Sequence, residues 1–188
     1  MDRVSSGIPS FNTFTAKFIE FLFPNYIWRF IKALRSLEYC ENVILRNKSP
    51  LSIKWWGGVI YWLLVKYRFR KLSLKLGYSI PINVFDSGIS LPHYGTIVVN
   101  PDARIGKNCR IHVGVNIGAH HDRAPQLGDN VYIGPGAIVF GEIEIADNVS
   151  IGANATVNKS VTESNTVVVG TPAHIVKRNV LSWNNVKK

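Results

Sequence analysis

Aliphatic residues recur at every sixth position through the second half of the chain. Val99, Ile105, Ile111 and Ile117 keep this period, and after one interruption so do Leu127, Ile133, Val139, Ile145, Ile151 and Val157. If Ile, Leu and Val make up about a quarter of residues, ten such hits arise by chance on the order of once in a million. A second small or apolar series shares the period: Cys109, Val115, Val131, Ala137, Ile143, Val149 and Ala155. Neither the helical period of 3.6 nor the strand period of 2 produces this pattern. A chain that turns a corner after each short strand does, with three strands closing one triangular coil of a parallel β-helix. Gly follows the aliphatic residue at Gly106, Gly118, Gly128, Gly134 and Gly152, where a corner needs a small residue or unusual dihedrals.

Residues 1–76 lack the period and read as helical. Apolar residues at three and four spacing predict helices over Thr15 to Leu22, Tyr26 to Tyr39 and Trp55 to Leu76. Pro24 separates the first two, and Gly57 and Gly58 weaken the start of the third. The expected organisation is a helical segment over 1–76, a β-helix over 77–178 that closes near Val169-Gly170-Thr171-Pro172, and a polar tail over 179–188.

The breaks in the period are as informative as the period. Leu91 and Val99 are eight apart, and Ile117 and Leu127 are ten apart. Residues in excess of six must leave the coil. The first excess surrounds Pro92-His93-Tyr94-Gly95; the second is Ala119 to Gln126. Three of the five His residues, His93, His120 and His121, fall in these excursions. Loops on a rigid scaffold are where chemistry concentrates. At two coils apart or less, the two excursions are expected on the same rim. An imidazole near pH 7 is suited to take a proton from a hydroxyl, so His93 is the candidate general base, with His120 or His121 as the alternative.

Charge separates the two halves. Residues 1–76 hold 13 Lys/Arg against 4 Asp/Glu, while the overall net charge is +10. Four of the five Trp lie there too: Trp28, Trp55, Trp56 and Trp62. This composition suits either a membrane surface or a helical packing cap; no recognition motif points to nucleic acid. The apolar run from Trp55 to Val65 is too short to span a bilayer, and the N-terminus has no secretory signal pattern. The chain is expected to be cytoplasmic, with peripheral contact at the inner face of the membrane. Two cysteines, Cys40 and Cys109, give neither a disulfide framework nor a metal spacing.

The segment Leu91-Pro92-His93-Tyr94-Gly95-Thr96-Ile97-Val98-Val99, with Gly88-Ile89 upstream and Gly170-Thr171-Pro172-Ala173 downstream, resembles the His bulge and closing motif of serine acetyltransferases. Gln126-Leu127-Gly128-Asp129-Asn130-Val131-Tyr132-Ile133-Gly134 resembles a segment shared by hexapeptide acyltransferases. The resemblance covers residues 77–178. It implies a left-handed β-helix, a homotrimer, and acetyl-CoA bound in a groove between subunits. It further implies His93 as catalytic base, Gly136, Ala137, Asn154 and Ala155 along the pantetheine arm, and Lys177 and Arg178 near the nucleotide phosphates.

The same resemblance exposes departures. The acid expected fifteen residues before the catalytic His is Tyr78, the Asp expected just before it is Pro92, and an Arg-His pair of the second excursion reads Arg123-Ala124. Asp86 or Asp122 is left to orient His93. Two contacts to serine are missing, so the acceptor expected here is a sugar hydroxyl, as in surface polysaccharide biosynthesis, with His120, His121, Arg123 and Asp86 on the acceptor side. Serine is the alternative acceptor. A zinc lyase of the γ-carbonic-anhydrase type, drawing on His93, His112, His120 and His121, is the alternative of another class, and a non-catalytic scaffold is a third. No metal is expected for the leading reading.

Overall fold

The computed structural model describes residues 22–46 and 53–184. The described residues divide into two compact units, the first ending at Leu76 and the second beginning at Gly77. The predicted helix over Thr15 to Leu22 lies outside the described residues except at its last position.

In the first unit, α1 spans Tyr26–Tyr39 and α2 spans Ile53–Leu76. Asn25 caps α1, its side-chain oxygen accepting from the Trp28 amide at 3.0 Å, one residue after the Pro24 break. Phe30, Ile31, Ala33, Leu34 and Leu37 form a single buried stripe. A π-helical turn, Cys40–Leu45, extends α1. Phe30 stacks on Phe69 of α2 with ring centroids 5.4 Å apart, and Trp62 Nε1 donates to Glu41 Oε1 at 3.0 Å. The two glycines do not break α2. A Cβ at Gly58 would come within 2.6 Å of Ile44 Cγ2, so the glycine is what lets the π-turn approach the helix. Among the described residues, no helix is long and apolar enough to cross a membrane.

The second unit is a left-handed parallel β-solenoid. Sheet A contains β1 (Tyr78–Ser79), β2 (Ile97–Val99), β5 (Asn116–Gly118), β8 (Ile138–Phe140) and β11 (Thr156–Val157). Sheet B contains β3 (Arg104–Ile105), β6 (Gln126–Leu127) and β9 (Glu144–Ile145). Sheet C contains β4 (Arg110–Ile111), β7 (Tyr132–Ile133), β10 (Ser150–Ile151), β12 (Val167–Gly170) and β13 (Ala173–Lys177). The chain visits A, B and C in turn, and every pairing is parallel except β12 with β13. Val99, Ile117, Val139 and Val157 therefore stack through sheet A, and Ile111, Ile133 and Ile151 through sheet C. All ten members of the aliphatic series are buried, and so are all seven of the second. Burying apolar side chains on three walls of so narrow a prism supplies the main driving force for the fold.

The corners divide their labour between Asn and Gly. At the corner from B to C, Asn108, Asn130, Asn148 and Asn165 take the left-handed conformation, with φ of 55°, 59°, 59° and 59°. Their amides form a ladder, Asn108 Nδ2 to Asn130 Oδ1 at 3.1 Å and Asn130 Nδ2 to Asn148 Oδ1 at 3.0 Å. Gly106, Gly128, Gly134 and Gly152 are needed for room instead. A Cβ at Gly106 would lie 2.7 Å from the Gly128 backbone, and one at Gly134 would lie 2.8 Å from the Ala153 nitrogen. Gly118 has no such requirement; its nearest neighbour would be 3.7 Å away.

The described residues of the polar tail bond back to the coil. Val180 N donates to Asn165 O at 2.9 Å, Trp183 Nε1 to Asn108 O at 3.2 Å, and Asn184 Nδ2 to Asn130 Oδ1 at 2.7 Å. Ser182 is buried. The segment runs back along the asparagine corner, bonding to the backbone carbonyls of Asn108 and Asn165 and sharing the Asn130 side-chain oxygen with Asn108.

Candidate active site

The excess residues do leave the coil. Tyr132 and Ser150 pair across one regular coil of eighteen residues, whereas Ser90 and Arg110 are twenty apart and Asn116 and Ile138 are twenty-two apart. The first excursion bulges at the corner from C to A, and the second at the corner from A to B. In one chain they therefore stand at opposite ends of sheet A rather than on the same rim. The spacing gave coil separation correctly, but which of three corners carries each excess depends on the strand it follows.

His93 is exposed at the tip of the first bulge. Its carbonyl oxygen accepts a hydrogen bond from the Tyr78 hydroxyl at 2.7 Å. Burial pushes the Tyr78 phenol well above its ordinary pKa, so it stays a donor. Gly95 permits the bulge: its φ of 135° excludes most side chains, and a Cβ there would run into Val113.

His112, one coil on, sits at the same corner. Its ring centroid is 6.1 Å from that of His93 and 5.1 Å from that of Tyr132. Arg110 Nε donates to His112 Nε2 across a long 3.4 Å, and Arg110 in turn lies 5.3 Å from the Trp183 ring. Burial, then the charges of Arg110 and His93, lower the His112 pKa, so the imidazole is neutral near pH 7. The sequence assigned His112 only to the metal alternative. The signal that could have found it is the twenty-residue coil, which sets residue 112 beside residue 92.

The corner continues past His93 as a column of backbone. Gly114 N donates to Thr96 O, Gly136 N to Val113 O, and Asn154 N to Pro135 O, at 2.7, 2.9 and 2.9 Å. Gly114, Gly136 and Asn154 all have positive φ. Thr171 Oγ1 then donates to Asn154 O at 3.3 Å. Gly136 and Asn154 thus share the His93 corner. Ala137 and Ala155 do not line it: both are fully buried, because they occupy the second inward position of the hexad. Lys177 pairs with Val167 at the far end of sheet C, since β13 runs back away from the corner. Arg178 is tied to Glu163 at 2.9 Å. The two basic residues are not brought to the column.

The second excursion is a tight hairpin. His120 and Arg123 exchange both backbone hydrogen bonds, at 2.9 and 3.0 Å, and His121 and Asp122 form the two-residue turn with φ of 47° and 61°. The His120 and His121 rings are 4.1 Å apart. Arg123 Nη1 reaches both carboxylate oxygens of Glu142, at 2.5 and 2.6 Å. Beside the hairpin lies a cleft of about 400 Å³ whose lining includes Asp102, Asp122, Glu142 and Glu144 against the single guanidinium of Arg123.

Neither candidate acid reaches His93 within the chain. Asp86 follows the Phe85–Ile105 bridge onto the corner from B to C, and Asp122 belongs to the hairpin at the corner from A to B. Among the described residues no three His, Cys, Asp or Glu side chains gather as a metal-ligand set.

Comparison with known proteins agrees with this architecture. Residues 124–159 match the family model described as bacterial transferase hexapeptide (six repeats). No curated protein matches the sequence. A solved serine O-acetyltransferase from Brucella melitensis superposes with a TM-score of 0.64 at 24% identity, over 92% of this chain and 62% of that one. Neisseria gonorrhoeae serine acetyltransferase gives 0.55 at 26% identity, over 80% and 55%. The soybean apoenzyme gives 0.53 at 26%, over 77% and 69%. The chain spans less than two thirds of the length of the first two. It has the hexapeptide-repeat, left-handed β-helix fold, and within that class it strongly resembles the serine and O-acetyltransferases.

Proposed function

We propose that this chain is an acetyl-CoA-dependent O-acyltransferase with His93 as its general base. The observation that carries the reading is the single corner holding His93, Gly136 and Asn154: an exposed imidazole at the head of a column of small or left-handed residues, where a slender pantetheine arm can approach backbone. One solved relative by fold, a serine acetyltransferase from Brucella abortus, is a complex with coenzyme A. In the step itself the acceptor oxygen attacks the thioester carbonyl while the His93 imidazole takes the hydroxyl proton. Collapse of the tetrahedral intermediate forms the ester and expels the CoA thiolate, which recovers the proton from the imidazolium.

A second copy completes the site. The outward side of sheet A exposes Val98, Ile138 and Phe140, whereas the strand positions facing out of sheet B are Arg104, Gln126 and Glu144. In a homotrimer with sheet A turned to the threefold axis, the His93 corner of one protomer meets the hairpin corner of the next. His120 and His121 then face His93 from the neighbouring subunit. Light scattering should report three chains per particle; a monomer at micromolar concentration contradicts this assembly.

For the acceptor we favour a sugar hydroxyl, such as that of a surface polysaccharide precursor. Pro92 offers no charge, Arg123 is already held by Glu142, and the neighbouring cleft is acidic, so these residues do not suit a free carboxylate. L-Serine is the second reading, and the relatives favour it over a sugar, because the solved structures reported above are serine acetyltransferases. An assay of CoA thiol release across sugars and L-serine decides between them.

A further inference from the structure

The face of α2 turned away from α1 is apolar, and a soluble packing helix has no need of that. Val65 and Leu72 on one side of the helix are buried, and Phe69 on the same side stacks on Phe30. On the opposite side, Trp56, Ile60, Leu63, Tyr67 and Leu74 follow one another at intervals of four, three, four and seven. At 100° per residue these five fall within a narrow stripe along the helix. Each is more than half exposed, Leu74 by 75%.

Cations border this stripe. Lys66 and Arg70 fall on one flank of it and Lys71 on the other, and all three are exposed. Lys71 Nζ sits 4.8 Å from the Tyr67 ring centroid. α2 contains no acidic residue. A protein partner of ordinary composition would match the apolar stripe but not an all-cationic border. An anionic bilayer matches both: side chains of Trp, Leu and Ile enter the headgroup boundary, Tyr sits at it, and Lys and Arg meet lipid phosphates. The helix cannot cross, which leaves it lying in the plane of the surface.

We infer that α2 docks the protein on an anionic membrane surface through the Trp56, Ile60, Leu63, Tyr67 and Leu74 stripe. This sharpens the composition argument, which counted Trp62 among the anchors. Trp62 is turned inward, bonded to Glu41 and covered by Lys66 at 4.3 Å. The inference does not depend on the acetyl-transfer reading. If both hold, docking brings the site to an acceptor carried on lipid.

The test is co-sedimentation of the full chain with vesicles of phosphatidylglycerol and phosphatidylethanolamine, against vesicles of phosphatidylcholine alone. The wild type should bind the anionic vesicles at low salt, release as salt rises, and leave the neutral ones in the supernatant. The exposed double variants L63Q/L74Q and R70E/K71E should each lower binding by about tenfold or more while keeping the wild-type thermal transition. Failure of the wild type to bind overturns the inference, and so does wild-type binding by either folded variant. A fall in particle mass for L63Q/L74Q without any vesicle binding by the wild type would assign the stripe to contact between copies and overturn it too.

Discussion

The Tyr78 hydroxyl reaches the backbone carbonyl of His93 at 2.7 Å, from the position fifteen residues upstream where the resembling family places an acid. A carboxylate there would address the imidazole; a buried phenol addresses the main chain. The imidazole of His93 is thus positioned through its backbone, with the His112 ring 6.1 Å away at the same corner.

Tyr78→Phe keeps the buried ring and removes the donor. Denaturant unfolding should show a loss of about 1 kcal/mol, the net worth of one such hydrogen bond. Turnover should fall several-fold as the bulge loosens, with the Michaelis constant for acetyl-CoA unchanged. Wild-type turnover in this variant would mean that the hydrogen bond does not position the base.

His112 makes stability depend on pH with a definite sign. Its folded pKa lies below the ordinary 6.5, so under acid the unfolded chain binds a proton that the folded chain resists. Its contribution is intact above about pH 6.5 and is lost as pH falls from there through the folded value. Thermal melts of His112→Gln between pH 7.5 and 5 should be flatter than wild type over that window. Parallel curves would contradict the assignment.

Two glycine substitutions separate close approach from mere turning. Gly106→Ala should destabilise by about 1–3 kcal/mol, because its Cβ meets Gly128 backbone that cannot give way. Gly118→Ala, with its nearest neighbour at 3.7 Å, should melt within about 0.5 kcal/mol of wild type. Equal effects would remove the distinction drawn between these corners.

The coil was legible because a triangular prism forces one aliphatic residue inward per wall, so Val99 to Val157 report the fold without any neighbour. The bulge that carries His93 was legible because Leu91 and Val99 are two residues too far apart. Ala137 and Ala155 were not separable from Gly136 and Asn154 because small size marks a corner and the second inward position alike, and only burial tells them apart. Lys177 and Arg178 lie away from the column because β13 turns antiparallel, which the hexad does not announce. The docking of the polar tail was not legible because Trp183 bonds to Asn108, 75 residues away, and no local pattern encodes a contact of that range.

Arg123 and Glu142 bear on the acceptor. If Glu142 holds the guanidinium out of use, a sugar should be acetylated with a higher kcat/KM than L-serine. Glu142→Gln should raise the L-serine rate while leaving the sugar rate within about twofold. Efficient acetylation of L-serine by the wild type would decide for the amino acid.

Turnover of acetyl-CoA by His93→Ala, followed as thiol release with a competent acceptor and set beside His120→Ala and His121→Ala, tests the account at its centre. The account predicts a fall of about 100-fold or more for His93→Ala, the scale of a lost general base, with CoA binding by thermal shift preserved. The His121→Ala effect should fall mainly on the acceptor's Michaelis constant. Near-wild-type turnover in His93→Ala, with the His120 or His121 variant inactive, would move the base to the hairpin and contradict the account.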